Sequence, residues 1–403
     1  MKKSMCSLGL ILALSVPDAE AVNREIRALF QPDPSQPSKN VFINKTPNSG
    51  YCATYPGECE QNNMFSIQLP VRFSSTRALY QGEVIPIKVP ANWRRLTVTN
   101  AETQETETVE VRITGIGSNY VLSHPAHQLV GISDVIEGHR KLWTSSSWVY
   151  APAPCQYSGV GAYGPEHYRF FWKTPTEESC VKRTAYPIPS MYFETLDFAY
   201  ELRTPNPLGM SSGLYTGSIP YTLGSLGDFD LGPLMTPDDA NLTLDFVLDV
   251  QHTLKVDLPP GGNKVALEPE GGWTRWIEGG RKPTRIYREQ PFYLSASSRF
   301  KVLMLCNSTG GTECKLGSPK GNSTGVEVFL TLPAGISGPG GNVTRLPLRY
   351  NNWAGPFQPG LYVDRKAGSL LFEMTPFAID FLLRPGMADR LSGNITIIWD
   401  SEA

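Results

Sequence analysis

The chain reads as an all-β protein built of two β-sandwich domains. Turn formers are abundant and charge is sparse: 18% of the 403 residues are charged, alongside 37 Gly and 34 Pro. That composition favours many short strands joined by turns. Apolar residues recur at every second position in one run after another, the mark of strands with one buried face. No long amphipathic helical pattern interrupts them. A length of 403 residues suits two domains of ordinary size, or three small ones. The 36 basic and 38 acidic residues nearly cancel, which argues against nucleic acid as a main partner.

Residues 1–21 carry the marks of a secretory leader. Lys2 and Lys3 precede an apolar stretch over residues 8–16, and Ala19 and Ala21 offer small side chains at the cleavage positions. The stretch is too short to span a bilayer. Export of a soluble product is expected. Of the 7 cysteines, Cys6 lies in the leader. The others, in an oxidising compartment, read as disulfides. Sequence neighbours make Cys52–Cys59, Cys155–Cys180 and Cys306–Cys314 the simplest pairing. Zinc is the alternative, but the sequence has no Cys-x-x-Cys pair to hold it.

The first domain is expected over residues 22–235. Residues 22–30 are mixed: Val22, Ile26, Ala28 and Phe30 alternate loosely, while Ile26, Leu29 and Phe30 also suit a helical turn. Cleaner strands follow at Ile67, Leu69, Val71 and Phe73, then at Ile85, Ile87 and Val89. Pro86 places the latter at a sheet edge. Leu96 with Val98, and Val109 with Val111 and Ile113, flank a polar hairpin tip at residues 100–106. Further apolar runs lie at residues 120–122 and 129–136. Residues 141–172 are dense in aromatic rings, bracketed by Cys155 and Cys180. A long stapled loop suits a recognition surface, although core packing accounts for most such rings. Leu196, Phe198, Tyr200 and Leu202 alternate against Asp197, Ala199 and Glu201. A polar stretch at residues 233–240 marks the boundary.

The second domain is expected over residues 241–403. Leu242, Leu244, Phe246, Leu248 and Val250 alternate, and the phase resumes at Leu254, Val256 and Leu258 before Pro259-Pro260-Gly261-Gly262. Further strands are read at residues 300–306 and 326–332. Near the end, Phe377, Ile379, Phe381 and Leu383 alternate, and after Gly393 so do Ile395, Ile397 and Trp399. Size and strand spacing are immunoglobulin-like. A strongly apolar last strand leaves an edge to manage. Two readings stand: an ordinary sandwich with that strand inside a sheet, or an unfinished one that borrows a strand from another chain.

Signals for chemistry are few. His124-Pro125-Ala126-His127 has a metal-like spacing, but a proline between the histidines reads as a turn. No nucleophile elbow, phosphate-binding loop or zincin motif occurs in the sequence. Asp228 with Asp230, or Glu177 with Glu178, would suit a secreted polysaccharide hydrolase, yet surface acids are the ordinary case. No enzyme, cofactor or metal is expected. Basic residues beside aromatics are more telling. Arg94, Arg95, Arg140, Trp143, Arg169 and Arg183 are candidate receptor-binding residues, because forked guanidinium donors suit carboxylates and sugar hydroxyls and ring faces stack on sugars. A sialylated glycan fits that chemistry.

Three stretches together resemble one family. They are Phe198-Ala199-Tyr200-Glu201-Leu202-Arg203-Thr204-Pro205-Asn206-Pro207-Leu208 with Leu214-Tyr215-Thr216-Gly217; Ser298-Arg299-Phe300-Lys301-Val302 leading into Cys306; and Gly393-Asn394-Ile395-Thr396-Ile397-Ile398-Trp399-Asp400. The chain resembles two-domain tip adhesins, or initiating minor pilins, of chaperone–usher fimbriae, with a colonisation-factor-like layout. The family usually ends on a penultimate tyrosine, where this chain has Trp399-Asp400-Ser401. The resemblance implies an incomplete immunoglobulin-like pilin fold, finished by a strand from a periplasmic chaperone and then from the next subunit. It places the donor-strand groove at Phe246, Leu248 and Val250 on one wall and Ile395, Ile397 and Trp399 on the other. It further implies an outer-membrane usher as partner, a host surface glycan or glycoprotein as receptor, and a location at the fimbrium tip after passage through the periplasm. The alternatives are a minor pilin that starts assembly without binding a receptor, and a secreted hydrolase.

Overall fold

The computed structural model describes residues 22–62, 64–159, 161–387 and 389–401. The leader over residues 1–21, with Cys6 and the cleavage positions, lies outside the described residues. The described chain is all-β, and its core divides into one large cluster formed by residues up to Val250 and another formed by residues from Phe292 onward.

The first unit is a sheet of 14 strands curled around one core, with a second sheet of 2 strands beside it. Its mixed opening segment is a strand, β1 (Val22–Phe30). Ile26, Ala28 and Phe30 point inward at 1–5% exposure, so the period of two prevails over the helical reading. The hairpin tip forms as expected, between β2 (Arg94–Asn100) and β3 (Thr106–Leu122), with Thr99 opposite Thr106. Residues 129–136 are not a strand. They lead into α1 (Val135–Leu142), whose N-cap Asp134 accepts a hydrogen bond from the Glu137 amide at 2.9 Å. Asp134 with Glu137 three residues on is a capping pair, and it outweighs the short apolar run.

Strand β4 (His167–Lys173) pairs antiparallel with β3, and so does β5 (Leu196–Arg203). Alternation predicts a wet face on β5, yet Asp197 and Ala199 are buried as well. The short helical turns Tyr51–Thr54 and Pro56–Gln61, stapled by Cys52–Cys59, lay Tyr51 and the disulfide over that outer face. All three nearest-neighbour disulfides form, with Cα–Cα distances of 5.6, 5.8 and 5.8 Å, within the span a disulfide accepts.

The expected domain boundary requires correction. Strand β6 (Gly213–Thr222) pairs antiparallel with β7 (Asn241–Val250), and β1 pairs with β7 in parallel, from Val22 opposite Leu242 to Phe30 opposite Val250. Residues 241–250 therefore complete the first unit rather than begin the second. Leu242, Leu244, Phe246, Leu248 and Val250 are 0–2% exposed within its core. Alternation shows that a strand buries one face; it does not say against which core. The units join at residues 251–253. There the His252 ring donates from Nε2 to the Met210 carbonyl at 2.8 Å and accepts at Nδ1 from Ser297 Oγ at 3.0 Å.

The second unit is a two-sheet sandwich. One sheet holds β8 (Leu254–Asp257), β9 (Ile286–Ala296), β11 (Ser323–Thr331) and β13 (Val363–Glu373); the other holds β10 (Phe300–Cys306), β12 (Trp353–Pro359) and β14 (Ile395–Ser401). Phe292, Phe300, Met304, Val328, Leu330 and Phe357 fill the space between them. The run at residues 377–383 is not a strand. It forms α3 (Pro376–Leu382), after a short helix α2 (Thr274–Ile277) earlier in the chain. Thr375 Oγ1 caps α3 by accepting from the Ala378 amide at 3.2 Å, and Pro376 occupies the first turn, where its missing N–H costs nothing. Ala378 and Ile379 face inward against Ile286 and Met374, while Phe377 is 80% exposed.

Candidate functional site: an open furrow beside the last strand

Strand β14 pairs with β10 along its whole length, from Cys306 opposite Ile395 to Phe300 opposite Ser401. Among the described residues its other edge has no strand partner. On the facing sheet, β8 is likewise an edge, bonded only to β9. The two sheets therefore stand open along one side. Ile395, Ile397 and Trp399 point toward the core but remain half-buried, whereas the inward residues Val326, Val328 and Leu330 of β11 are 0–1% exposed. Trp399 meets Phe292 edge-on at 5.0 Å and Phe300 at 5.9 Å, so the wall is anchored while its outer flank stays uncovered.

Two adjoining cavities occupy the opening. One, of about 350 Å³, lies between Val256, Leu258, Phe292 and Leu370 on one side and Ile397 and Trp399 on the other. The next, of about 410 Å³, continues past Leu267, Leu316 and Val326 beside Ile395. Val265, Phe372 and Ile395 line both. No ionisable side chain lines either one; the polar lining is Gln290, Asn263, Asn394 and Thr396. A neutral, elongated space beside a bare row of strand amides and carbonyls has the shape and hydrogen-bonding character of a missing strand.

Of the expected groove residues, Ile395, Ile397 and Trp399 lie in this furrow. Phe246, Leu248 and Val250 do not. They are buried in the first unit, because β7 is already sandwiched between β1 and β6. The second wall comes instead from residues 256–267 with Phe292 and Phe372. Only its start, Val256 and Leu258, was visible as a strand pattern; Val265 and Leu267 follow a glycine-rich turn and show no period.

The expected receptor-binding residues are each engaged by a different partner. Arg94 pairs with Asp228 and lies 4.9 Å over the Tyr221 ring. Arg95 meets Glu110 at 2.8 Å, and Arg140 meets Glu137 at 2.6 Å. Arg183 donates to the Gly82 carbonyl. Trp143 is 2% exposed, packed edge-on against Trp148 at 5.1 Å; it is a core residue with no face left for a ligand. Arg169 reaches Asp197 at 2.6 Å, and Gln68 donates to the same carboxylate at 3.1 Å. Burial pushes the Asp197 carboxyl up to about 6 despite the Arg169 charge beside it.

Most of the aromatic stretch is core: Trp148, Tyr168, Phe170, Phe171 and Trp172 are 0–2% exposed. Tyr150, Tyr157 and Tyr163 are the exposed ones, at 49–58%. The rings of Tyr150 and Tyr157 stack at 6.4 Å, and the Arg140 guanidinium lies beside the Tyr150 hydroxyl. Sequence reasoning missed the device that shapes this face. Lys182 is fully buried, and its ammonium donates to the carbonyls of Ser145, Ser146, Ser147 and Tyr150 at 2.9–3.3 Å. Nothing in the residues around Lys182 distinguishes it from a surface lysine.

The paired carboxylates brace a turn. Asp228 accepts from the Thr222 amide at 2.8 Å, and Asp230 accepts from the Gly232 and Leu226 amides at 2.7 and 3.1 Å. His127 lies within a short helix that begins at Ala126, and among the described residues no group of three or more His, Cys, Asp or Glu could hold a metal ion. Among them, too, no helix is long and apolar enough to cross a membrane.

No family profile matches the chain, and no curated protein does. Solved structures similar to it include the adhesive subunit CfaE of the CFA/I fimbria of enterotoxigenic Escherichia coli, with 9% identity, a TM-score of 0.28, and coverage of 95% of this chain and 94% of that one. A chaperone–tip adhesin complex of CFA/I fimbriae biogenesis shares 10% identity at a TM-score of 0.26, covering 95% and 97%. The CsuC–CsuE chaperone–tip adhesion subunit complex of Acinetobacter baumannii Csu pili shares 7% at 0.23, covering 94% and 98%. At these scores the likeness is one of architecture at most.

Proposed function

We propose that this chain is a non-enzymatic tip adhesin of a surface fimbria, mounted through its second unit by accepting a β-strand from another polypeptide. The open edge of β14 above an apolar furrow carries the reading. A lone edge strand with an uncovered apolar flank is an aggregation hazard, and an added strand removes the hazard by satisfying backbone and side chains together. A periplasmic chaperone would supply that strand during export, and the next subunit would supply it after an outer-membrane usher has mounted the chain. The first unit needs no such donor, since β1 and β6 already flank β7.

Receptor contact belongs to the first unit in this reading. The exposed rings of Tyr150, Tyr157 and Tyr163 offer stacking faces that suit a host glycan or glycoprotein. Two measurements test the proposal. Expressed in a periplasm with a pilus chaperone, the chain should co-purify with it, and Ile397→Asp should break the complex. A glycan array probed with the chaperone-bound chain should give hits that Tyr150→Ala and Tyr157→Ala weaken. A stable, unaggregated monomer that captures no chaperone would overturn the assembly role. Chaperone capture with no receptor on the array would leave a minor pilin that starts assembly without adhesion.

A further inference from the structure

The far side of the second sandwich holds a separate cleft. In the sheet that ends on β14, a hairpin of Ile336–Gly338 and Gly341–Asn342 forms the opposite end. That hairpin pairs with β12 only at Gln358 and Pro359, which leaves the first half of β12 bare on this edge. The short strand Leu346–Leu348 belongs to the other sheet, where it pairs with β11. Among the described residues no ladder joins it to β12. A cavity of about 380 Å³ lies between the two, lined by Trp353, Arg349, Asn352, Leu346, Phe357 and Gly340. A smaller one of about 120 Å³ adjoins it beside the hairpin and shares Gly340, Leu346 and Phe357. The larger falls within the ~300–1,000 Å³ of small-molecule sites.

The polar groups at this cleft are free, unlike those of the first unit. Arg94, Arg95, Arg140 and Arg169 are each claimed by a carboxylate. Arg349 forms no ion pair among the described residues; its contact is a long donation to Thr312 Oγ1 at 3.4 Å. The Asn352 side-chain amide has no hydrogen-bond partner among them either. Arg349 is also the one ionisable residue lining either cavity among the described residues, so the cleft presents a positive charge with no acid facing it. Trp353 is 43% exposed. The Lys301 ammonium lies 4.7 Å over one face of its ring, which leaves the other face uncovered. The wall that carries Arg349 is bracketed by two non-glycine residues in the left-handed region, Arg345 at φ 49° and Asn351 at φ 52°. Such strain gathers at ligand clamps. Here Arg345 is held in place by Glu373 at 3.0 Å and, through its amide, by Thr331 Oγ1 at 3.1 Å.

We propose that this cleft is a carbohydrate site of the second unit, and that it takes an acidic saccharide. The forked Arg349 guanidinium donates to the sugar carboxylate, the Asn352 amide pairs with ring hydroxyls, and the uncovered indole face of Trp353 stacks on the apolar face of the sugar ring. The site is separate from the tyrosine face of the first unit. It also lies at the other end of the sheet from the free edge of β14, so it stays open whether or not a strand fills the furrow.

The test is titration calorimetry on the full chain with 3′-sialyllactose, a hyaluronan tetrasaccharide and neutral lactose. At least one acidic sugar should bind, at least about tenfold more tightly than lactose, the scale of one charge-assisted hydrogen-bonding pair. Which of the two binds separates sialic acid-ended chains from uronic acid polymers as the source. Arg349→Gln should bring the acidic sugar down to the level of lactose. Trp353→Ala should abolish binding. Gly340→Leu should also block it by filling the rim, at a position where a Cβ meets no atom within 4 Å and folding is undisturbed. Tyr150→Ala should change nothing. No binding of either acidic sugar up to about 10 mM would overturn the site, as would binding that survives Gly340→Leu or is lost in Tyr150→Ala. Lactose binding as tightly as the acidic sugars would overturn the assigned class.

Discussion

If the furrow is a strand site, the cost of truncating Ile397 depends on whether the furrow is filled. Consider Ile397→Ala in the chain alone, and in a chain carrying an alternating Val/Thr strand fused through a flexible linker to its C-terminus. Truncating a fully buried isoleucine costs ~2–5 kcal/mol through lost transfer energy and the cavity left behind. Ile397 is already partly buried in the open chain, so most of that, ~1.5–3.5 kcal/mol, is at stake there. Filling the furrow covers its exposed flank and brings the cost to the full value. The added penalty of ~0.5–1.5 kcal/mol corresponds to roughly 2–4 °C of melting temperature per kcal/mol for a unit of this size. Leu330→Ala is the internal control, because Leu330 is 0% exposed already and should cost the same in both chains. Calorimetry on the two single variants and their parents completes the cycle. Equal costs for Ile397→Ala with and without the added strand would refute the reasoning, since the furrow would then be no binding site for it.

Three further outcomes are expected. Asp197 has its carboxyl raised from 3.8 to about 6 by burial, so the folded state binds an extra proton between those values and stability falls as pH rises from about 4 to about 6, by about 3 kcal/mol at most; denaturant midpoints across that range should show the slope in the parent and lose it in Asp197→Asn. Replacing Cys155 and Cys180 together with alanine opens a loop with a sequence separation of 25 and should destabilise the first unit by about 3 kcal/mol in urea titrations. Thr375→Ala removes the cap of α3 and should cost ~1 kcal/mol, with faster amide exchange at residues 376–382 as its local sign.

The residues alone settled much of this protein. Period-two runs in a glycine- and proline-rich chain mean all-β, because only strands alternate burial at that spacing. The disulfides follow from proximity along the chain, and Ile395, Ile397 and Trp399 share one face by arithmetic. Other features depended on which surfaces meet in space. Residues 242–250 alternate as cleanly as any strand, but their core is decided by β1 and β6, distant in sequence. Residues 377–383 alternate too, yet a capping threonine and a proline turn them into a helix. Arg94, Arg95, Arg140 and Arg169 look available in sequence and are claimed by carboxylates on other elements or, for Arg140, on the same helix. A side chain's pattern tells which way it points; the partner waiting there comes from long-range packing, and that alone left one side of the second sandwich open.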